Sequence, residues 1–328
     1  MRKRYLVTGG AGFIGSALVR ALIKDGGWVR VLDNESRGET GRLKDIQDRF
    51  EFIRGDIRDA KLVERACQGV DSVVHLAYIN GTEFFYTKPE LVLEVGVKGM
   101  MNVLDGCIKN NVKELFLASS SEVYQTPPTI PTPETASLIV PDPLNPRYSY
   151  GGGKIISELL TINYGRKFFK RAIIFRPHNV YGPDMGWEHV IPQLTLSIKN
   201  LIERNKKSNT INLPIQGSGN ETRAFIYIDD FVEGLKLVID KGEHLGIYHI
   251  GTQDEISIKE LAQLIGACFP RKVKVVPGKL MKGSTKRRCP DISKLKKLGF
   301  RPRISLRVGL QETVRWYNAF AHLQPKNE

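Results

Sequence analysis

The sequence predicts a doubly wound parallel α/β sheet followed by a smaller C-terminal α/β part. Three observations carry that expectation. Apolar runs of strand length alternate with helical patterns through the first half of the 328-residue chain, the rhythm of parallel strands covered by helices on both faces. The first apolar run enters a glycine-rich turn and then a helix. After Arg176 the rhythm breaks into turn-rich segments, which suggests a division into residues 1–176 and 177–328, with some exchange of chain between them.

The elements follow in order. Residues 5–7 are an apolar strand; Gly9, Gly12 and Gly15 then recur at intervals of three, and 16–24 places Leu18, Leu22 and Ile23 on one helical side. Glycine admits positive φ and lets the backbone approach a ligand. The start of a helix offers free N–H groups and the positive end of its dipole to an anion. The same spacing could mark a turn made only for packing, but residues 28–32 form a second apolar run ending in Asp33. A carboxylate there accepts hydrogen bonds from ribose hydroxyls, so a dinucleotide is expected. Asp33 would repel a 2′-phosphate, which favours NAD over NADP, although Arg37 is close enough in sequence to accept one.

Residues 50–54 read as a third strand, followed by Gly55-Asp56-Ile57 and a helix to about residue 67. Residues 71–76 are a fourth strand ending at His75-Leu76-Ala77, and a long helical pattern covers 89–110. Glu114–Ala118 is a fifth strand entering Ser119-Ser120-Ser121-Glu122. A proline-rich loop spans 127–146, a helix begins near Ser149, and 172–175 is a sixth strand. Beyond it, short strands (211–215, 272–276) and two helical patterns (258–268, 306–320) form the smaller part, with a cleft expected between the two.

Composition narrows the function. No run of 18 apolar residues occurs, so no membrane span is expected. Met1-Arg-Lys-Arg leads straight into the first strand, and the four cysteines are scattered; both fit a cytoplasmic protein with reduced thiols and no metal site. The net charge of +14 is concentrated in 199–207 and 272–297. It reads as a solvated basic surface, because no nucleic-acid module or interleaved aromatic pattern accompanies it.

Tyr150-Gly-Gly-Gly-Lys154 is the second anchor. Four residues apart on a helix, the two side chains share a face. A neighbouring ammonium favours phenolate, and a tyrosine so tuned can take a proton from a hydroxyl. The three glycines cost about 1 kcal/mol each against alanine in a helix, so close approach of backbone or ligand must compensate. By itself the pair could equally be a solvated helix face.

Taken together, Gly9-x-x-Gly12-x-x-Gly15, the serine-rich strand end and Tyr150-x-x-x-Lys154 resemble the extended short-chain dehydrogenase/reductase family. More narrowly the chain resembles the NAD-dependent nucleotide-sugar epimerases, dehydratases and decarboxylases, through Arg176-Pro177-x-Asn179-Val180-Tyr181-Gly182-Pro183, Thr222-Arg223-Ala224-Phe225 and Pro290-Asp291-Ile292. The resemblance implies a Rossmann domain binding NAD and a C-terminal part binding a nucleotide-diphosphate sugar, in a homodimer built through the helices near 91–108 and 155–164. It implies that Gly9, Gly12, Phe13 and Ile14 hold the pyrophosphate and that Asp33 and Asn34 hold the ribose. Asp56 and Ile57 would flank the adenine, with Leu76, Ala77 and Ser119 lining the cofactor. Tyr150 would be the base, Lys154 its tuning partner on the nicotinamide ribose, and Ser120 a hydrogen-bond partner of the reacting hydroxyl. Asn179, Arg223 and Arg287 would bind the substrate diphosphate, where arginine's fork presents paired donors.

Four departures fall on the substrate side: Gln125 for a usual glycine, Gly96 for a common asparagine, Tyr78 for a small residue, and an unfamiliar loop at 79–85. The reaction is read from Ser120-Ser121-Glu122. A 4,6-dehydratase needs an acid and a base beside the catalytic hydroxyl, and here only Glu122 remains, which could also be a structural carboxylate bonded to a backbone amide. A 4-epimerase needs neither and is the first expectation. A decarboxylase of the UDP-glucuronate type, or a dehydratase, is the alternative. A dinucleotide sensor or RNA-binding protein on the same scaffold would have no use for the Ser120/Tyr150/Lys154 set. His75 reads as structural, His178 and His189 as candidates to face the sugar, and Trp187, Trp316 and Tyr317 as packing residues.

Overall fold

The structure, a computed structural model, describes residues 2–279 and 285–325, so part of the 272–297 basic run lies outside the described residues. Its centre is a seven-stranded sheet. Six strands come from the first half: β1 (Arg4–Thr8), β2 (Trp28–Asp33), β3 (Glu51–Arg54), β4 (Ser72–His75), β5 (Glu114–Ala118) and β6 (Arg171–Pro177). The remaining strands are β7 (Val180–Tyr181), β8 (Thr210–Pro214), β9 (Thr222–Ala224), β10 (Ile226–Tyr227), β11 (Ile247–Ile250), β12 (Glu255–Ser257), β13 (Lys272–Val276) and β14 (Arg287–Arg288). Of these, β11 joins the main sheet, whose order is β11-β6-β5-β4-β1-β2-β3 with every pair parallel. The order reverses between β1 and β4. A doubly wound sheet opens a crevice at such a point, outside the carboxyl ends of the strands.

Alternation along the strands explains the near-continuous apolar runs, because both faces are covered. Val7, Val74, Phe116 and Phe175 face a layer made by α1 (Phe13–Lys24) and, from the second half of the chain, Phe231, Leu235 and Val238 of a helix over Ile228–Lys241. Leu6, Val73, Leu115 and Ile174 face Val63, Met100, Val103 and Leu104 on the opposite layer. Those side chains belong to α2 (Ala60–Ala66) and α5 (Gly99–Lys109); between them in the chain lie α3 (Thr82–Thr87) and α4 (Pro89–Leu93), and α6 (Ser149–Phe168) completes the layer. In chain order α7 (Val190–Arg204), α8 (Ile228–Lys241), α9 (Ile258–Gly266), α10 (Ser293–Lys297) and α11 (Leu306–Ala319) follow; α8 and α10 join the layer on the main sheet, and α7, α9 and α11 enclose a third apolar cluster that holds the smaller part. Ile191, Leu194, Leu261, Ile265, Leu310 and Tyr317 fill that cluster, and Trp187 packs its ring edge-on to Tyr317 at 4.9 Å.

The sequence reading does not contain the helices Val190–Arg204, Ile228–Lys241 and Ser293–Lys297, and three further local features differ from it. The 89–110 pattern is one helical rod, but Glu94–Lys98 within it is a π-turn around Gly96. The 79–85 loop is partly the short helix α3, which an aromatic pair, Phe84-Phe85, does not signal by period. β11 was not expected as a strand because its four residues, bounded by Gly246 and Gly251, are too few to show a pattern. Among the described residues no helix is long and apolar enough to cross a membrane.

One buried network ties the sheet to α6. The Arg176 guanidinium pairs with Glu158 at 2.6 Å, both side chains almost wholly buried. The Ser119 hydroxyl donates to the same carboxylate at 2.5 Å, and Arg176 also reaches the Tyr124 hydroxyl. Removing one member of a buried ion pair leaves the other without compensation, typically at about 3–5 kcal/mol. Arg176→Met is therefore expected to lower the midpoint of denaturant unfolding by a loss of that size. A midpoint equal to the parent protein's would show that Glu158 does not depend on this partner.

Candidate functional site

A cleft of about 510 Å³ opens at the sheet's switch point. Its floor is the first turn. Gly9 has φ +69°, and a Cβ there would lie 2.7 Å from the Ala77 nitrogen; one on Gly15 would lie 2.1 Å from the Gly9 carbonyl oxygen. Backbone thus approaches backbone, and the N-terminus of α1, with Gly12 as its cap residue, has no side chain bonded to its N–H groups at the cap. Such a cradle fits a pyrophosphate. At the end of β2 the Asp33 carboxylate accepts from the Ala11 and Glu35 amides at 3.0 and 2.8 Å. Burial raises its pKa, and the two amides oppose the rise.

Asn34 donates to Asp56 at 2.9 Å, and Arg58 holds Asp56 below the usual carboxylate range. Arg37 lines the same cleft, where it pairs with Glu188 at 3.2 Å and lies 5.1 Å from the Phe84 ring centre. The cleft brings together all the residues expected to hold the dinucleotide, from Gly9, Gly12, Phe13 and Ile14 through Asp33, Asn34, Asp56, Ile57, Leu76 and Ala77 to Ser119, Tyr150 and Lys154.

At the other end of the cleft, the first turns of α6 carry Tyr150 and Lys154. Tyr150 is buried, stacked on Phe85 at 4.8 Å and edge-on to Tyr78 at 5.2 Å. Burial pushes its pKa up to about 12, against a contribution from the Ser120 hydroxyl that favours phenolate. Lys154 is buried too; its Nζ donates to the Ala118 carbonyl at 2.7 Å, and burial lowers its pKa to about 7. Ser120 caps the turn over Ser121–Tyr124, its hydroxyl accepting from the Glu122 amide at 3.1 Å. The Glu122 carboxylate accepts from Arg288 at 2.7 Å. Burial would raise its pKa, but Arg288, followed by Arg147 and Arg223, holds it below the usual range. Glu122 is therefore a carboxylate kept ionised inside a basic pocket, and its side chain is held by an arginine rather than by a backbone amide.

The substrate-side expectations divide. Asn179 lines the cleft, with φ +43° and its amide donating to the Ala224 carbonyl at 2.8 Å. Arg223 lies behind the lining, donating to the Thr285 and Thr222 carbonyls at 2.6 and 2.7 Å, and burial lowers its pKa to about 10. The structure places Arg287 away from the cleft, in an exposed ion pair with Glu255 at 2.6 Å, while Arg288 faces inward. Successive side chains of a strand point to opposite sides, so of the tandem arginines of β14 it is Arg288, and not Arg287, that lines the cleft. Sequence reasoning missed Arg147 and Arg288, and the paired arginines were the available signal.

His75 is neutral and structural: Thr8 bonds its Nδ1 at 2.7 Å, and burial lowers its pKa to about 3. His189 lines the cleft, whereas His178 is buried edge-on to His249 at 4.7 Å. Gln125 occupies a φ of +53°, a positive-φ backbone that glycine adopts more readily than a residue with a Cβ.

Comparisons with known proteins agree with this geometry. Residues 5–251 match the model of the NAD dependent epimerase/dehydratase family. A UDP-N-acetyl-α-D-glucosaminuronate decarboxylase of Bacillus cytotoxicus is 32% identical over 327 residues, 97% of this chain and 98% of the relative. The crystal structure of DesIV, a dTDP-glucose 4,6-dehydratase of Streptomyces venezuelae with NAD bound, is similar with a TM-score of 0.85 and 32% identity, over 98% of both chains. The UDP-glucose 4-epimerase of Thermotoga maritima, solved with UDP-glucose, gives a TM-score of 0.84 at 28% identity, over 97% of this chain and 99% of that one.

Loss of the Asp33 carboxylate removes charged acceptors, and hydrogen bonds to charged groups are worth about 1.5–3 kcal/mol each. Asp33→Ala should weaken NAD binding by roughly 10- to 100-fold and reduce the preference over NADP, as read by calorimetric titration of both. Unchanged affinity for NAD would remove Asp33 from the ribose site.

Proposed function

The chain belongs to the NAD dependent epimerase/dehydratase family, and from that premise we propose that it oxidises C4 of a nucleotide-diphosphate uronate and releases the sugar carboxylate as CO₂. The observation that carries this reading is Arg288. It pairs with Glu122, two residues from Ser120, and lies close enough to Tyr150 to favour its phenolate. The diphosphate of a nucleotide sugar is several bonds from C4, so a cation at the reacting end suits a second anion, and a uronate carboxylate is one. The relationship to the Bacillus decarboxylase supports it.

Bound NAD supplies hydride acceptance and return at C4. The protein's own part is to orient and to move protons. Tyr150 takes the C4 hydroxyl proton, Ser120 bonds the same oxygen, and the Lys154 ammonium favours the phenolate. A carbonyl at C4 is β to the C6 carboxylate. The electron pair of the C5–C6 bond passes into that carbonyl as CO₂ leaves, C5 then takes a proton from water, and Tyr150 returns its own proton to the C4 oxygen when the carbonyl is reduced back. Arg288 and Arg147 orient the carboxylate, while Asn179 and Arg223 serve the diphosphate. Elimination is less well served, because its departing hydroxyl needs an acid. Glu122 is held ionised, and Ser121 has no acidic proton to give at neutral pH.

A second reading, 4-epimerisation, is favoured by the same lack of an acid: the keto sugar needs only to turn over in the cleft. On either reading the homodimer would form through α6 and its neighbour α4, where Ile156, Leu159 and Leu93 are exposed.

A panel of UDP-, GDP-, dTDP- and CDP-sugars that includes UDP-glucuronate, followed by NMR, separates the readings. A pentose with released CO₂ is expected. A 4-epimer would replace the first reading with the second, and a stable 4-keto-6-deoxy sugar would overturn both. Tyr150→Phe should cost about 10²- to 10⁴-fold in turnover while dinucleotide binding persists. A variant that keeps most of its activity would take the base role from Tyr150.

A further inference from the structure

Two of the departures in the sequence, Tyr78 and Gly96, meet at one point with a glycine of the segment between Tyr150 and Lys154. Tyr78, at the end of the segment after β4, inserts its ring between α6 and the π-turn. Its hydroxyl oxygen sits where side chains would stand on two glycines: a Cβ on Gly96 would lie 2.1 Å from it, and one on Gly153 2.2 Å. Gly151 instead abuts Gln125 and the Glu122 carbonyl, and Gly152 meets only Val140 at 3.6 Å. Of the glycines between Tyr150 and Lys154, Gly153 is therefore the one that admits the ring. The π-turn places Gly96 on the other side, and π-turns recur at functional sites.

The ring does not enter to make a hydrogen bond. Among the described residues its buried hydroxyl has no partner. What it does meet is Lys154, whose Nζ lies 3.8 Å from the ring centre. Of the other groups around that ammonium, Glu158 on the same helix also favours its charge, but that carboxylate is already paired with Arg176 at 2.6 Å. His75, at the end of β4, is neutral. Tyr150 is 5.8 Å from Nζ by its ring centre and is influenced from its far side by Glu122 and Arg288. The Ala118 carbonyl accepts one of the ammonium's three protons.

We propose that Tyr78 is a positioning residue for the Tyr150/Lys154 couple: its ring face holds the Lys154 ammonium charged and in place, and Gly96 and Gly153 make the room. The electron-rich face of an aromatic ring attracts a cation most strongly where water is excluded. Burial alone drives Lys154 toward the neutral amine, and a neutral amine would no longer favour phenolate on Tyr150. The inference rests on Tyr150 being the proton acceptor only for its effect on catalysis; the hold on Lys154 stands apart from it.

The test uses protein labelled with [ε-¹³C]lysine, with the Lys154 resonance assigned by its loss in Lys154→Met. Titration of that resonance is compared in the parent, Tyr78→Phe and Tyr78→Leu. Tyr78→Phe keeps the ring and should titrate as the parent does. Tyr78→Leu should lower the Lys154 midpoint by roughly half to one and a half units, the worth of a desolvated cation–π contact, and move the alkaline limb of the pH–rate profile downward with it. Tyr78→Met, closer in volume, serves if the leucine variant does not fold. An unchanged midpoint in a folded variant without the ring overturns the proposal. A shifted midpoint with an unmoved rate profile would uphold the hold on Lys154 and count against Tyr150 as the base.

Discussion

An ammonium removed from water is the constraint around which the catalytic end is built. Lys154 is buried on the inner side of α6, and its charge must be met by the protein. The carbonyl at the end of β5 takes one proton, and the ring of Tyr78 covers another side. The next turn of α6 carries Glu158, but Arg176 claims that carboxylate from β6. The sheet and helix are thus pinned together by one buried pair, and Lys154 is left as a separate charge beside it. The separation matters for chemistry: an ammonium fully neutralised by a carboxylate would do little for a neighbouring phenol.

The same economy of side chains shapes the dinucleotide end. Backbone lies on backbone at Gly9 and Gly15, and the helix dipole supplies a partial positive charge without any lysine or arginine. Arg37, Arg42 and Arg58 line this end as well, each paired with a carboxylate, Glu188, Asp184 and Asp56, and further arginines gather at the far end. Arg147 and Arg288 line the cleft and Arg223 stands behind, so the one carboxylate among them, Glu122, stays ionised. The cleft thus carries cations at both ends, and at the far end they outnumber the one carboxylate among them, which suits a ligand that is anionic along its length and again at that end.

Much of this was legible in the sequence because it is local. Strand, glycine turn, helix and Asp33 lie within one βαβ unit, and Tyr150 and Lys154 share a helical face at a spacing anyone can count. The family resemblance extended the reading to Asn179 and to Ser120. What was not legible depends on contacts across the chain or on a parity of one residue. Arg287 and Arg288 are chemically identical, and only the register of β14 against β9 decides which faces inward. β11 is four residues long and acquires its strand identity by pairing with β6. Gly96, Tyr78 and Gly153 looked like three unrelated oddities because they are distant in sequence, and they become one feature only when α6 and the π-turn close on the ring.

The central claim is a closed oxidation and reduction at C4 with Tyr150 as the proton acceptor. Deuterium placed at that carbon tests it most directly. UDP-[4-²H]glucuronate and UDP-[4-²H]glucose would be incubated with the protein as purified, and the position of the label read by NMR and mass spectrometry. The account predicts that the turned-over sugar keeps its deuterium at C4, with none appearing in water. Deuterium washed into solvent, or found at C6, would contradict it.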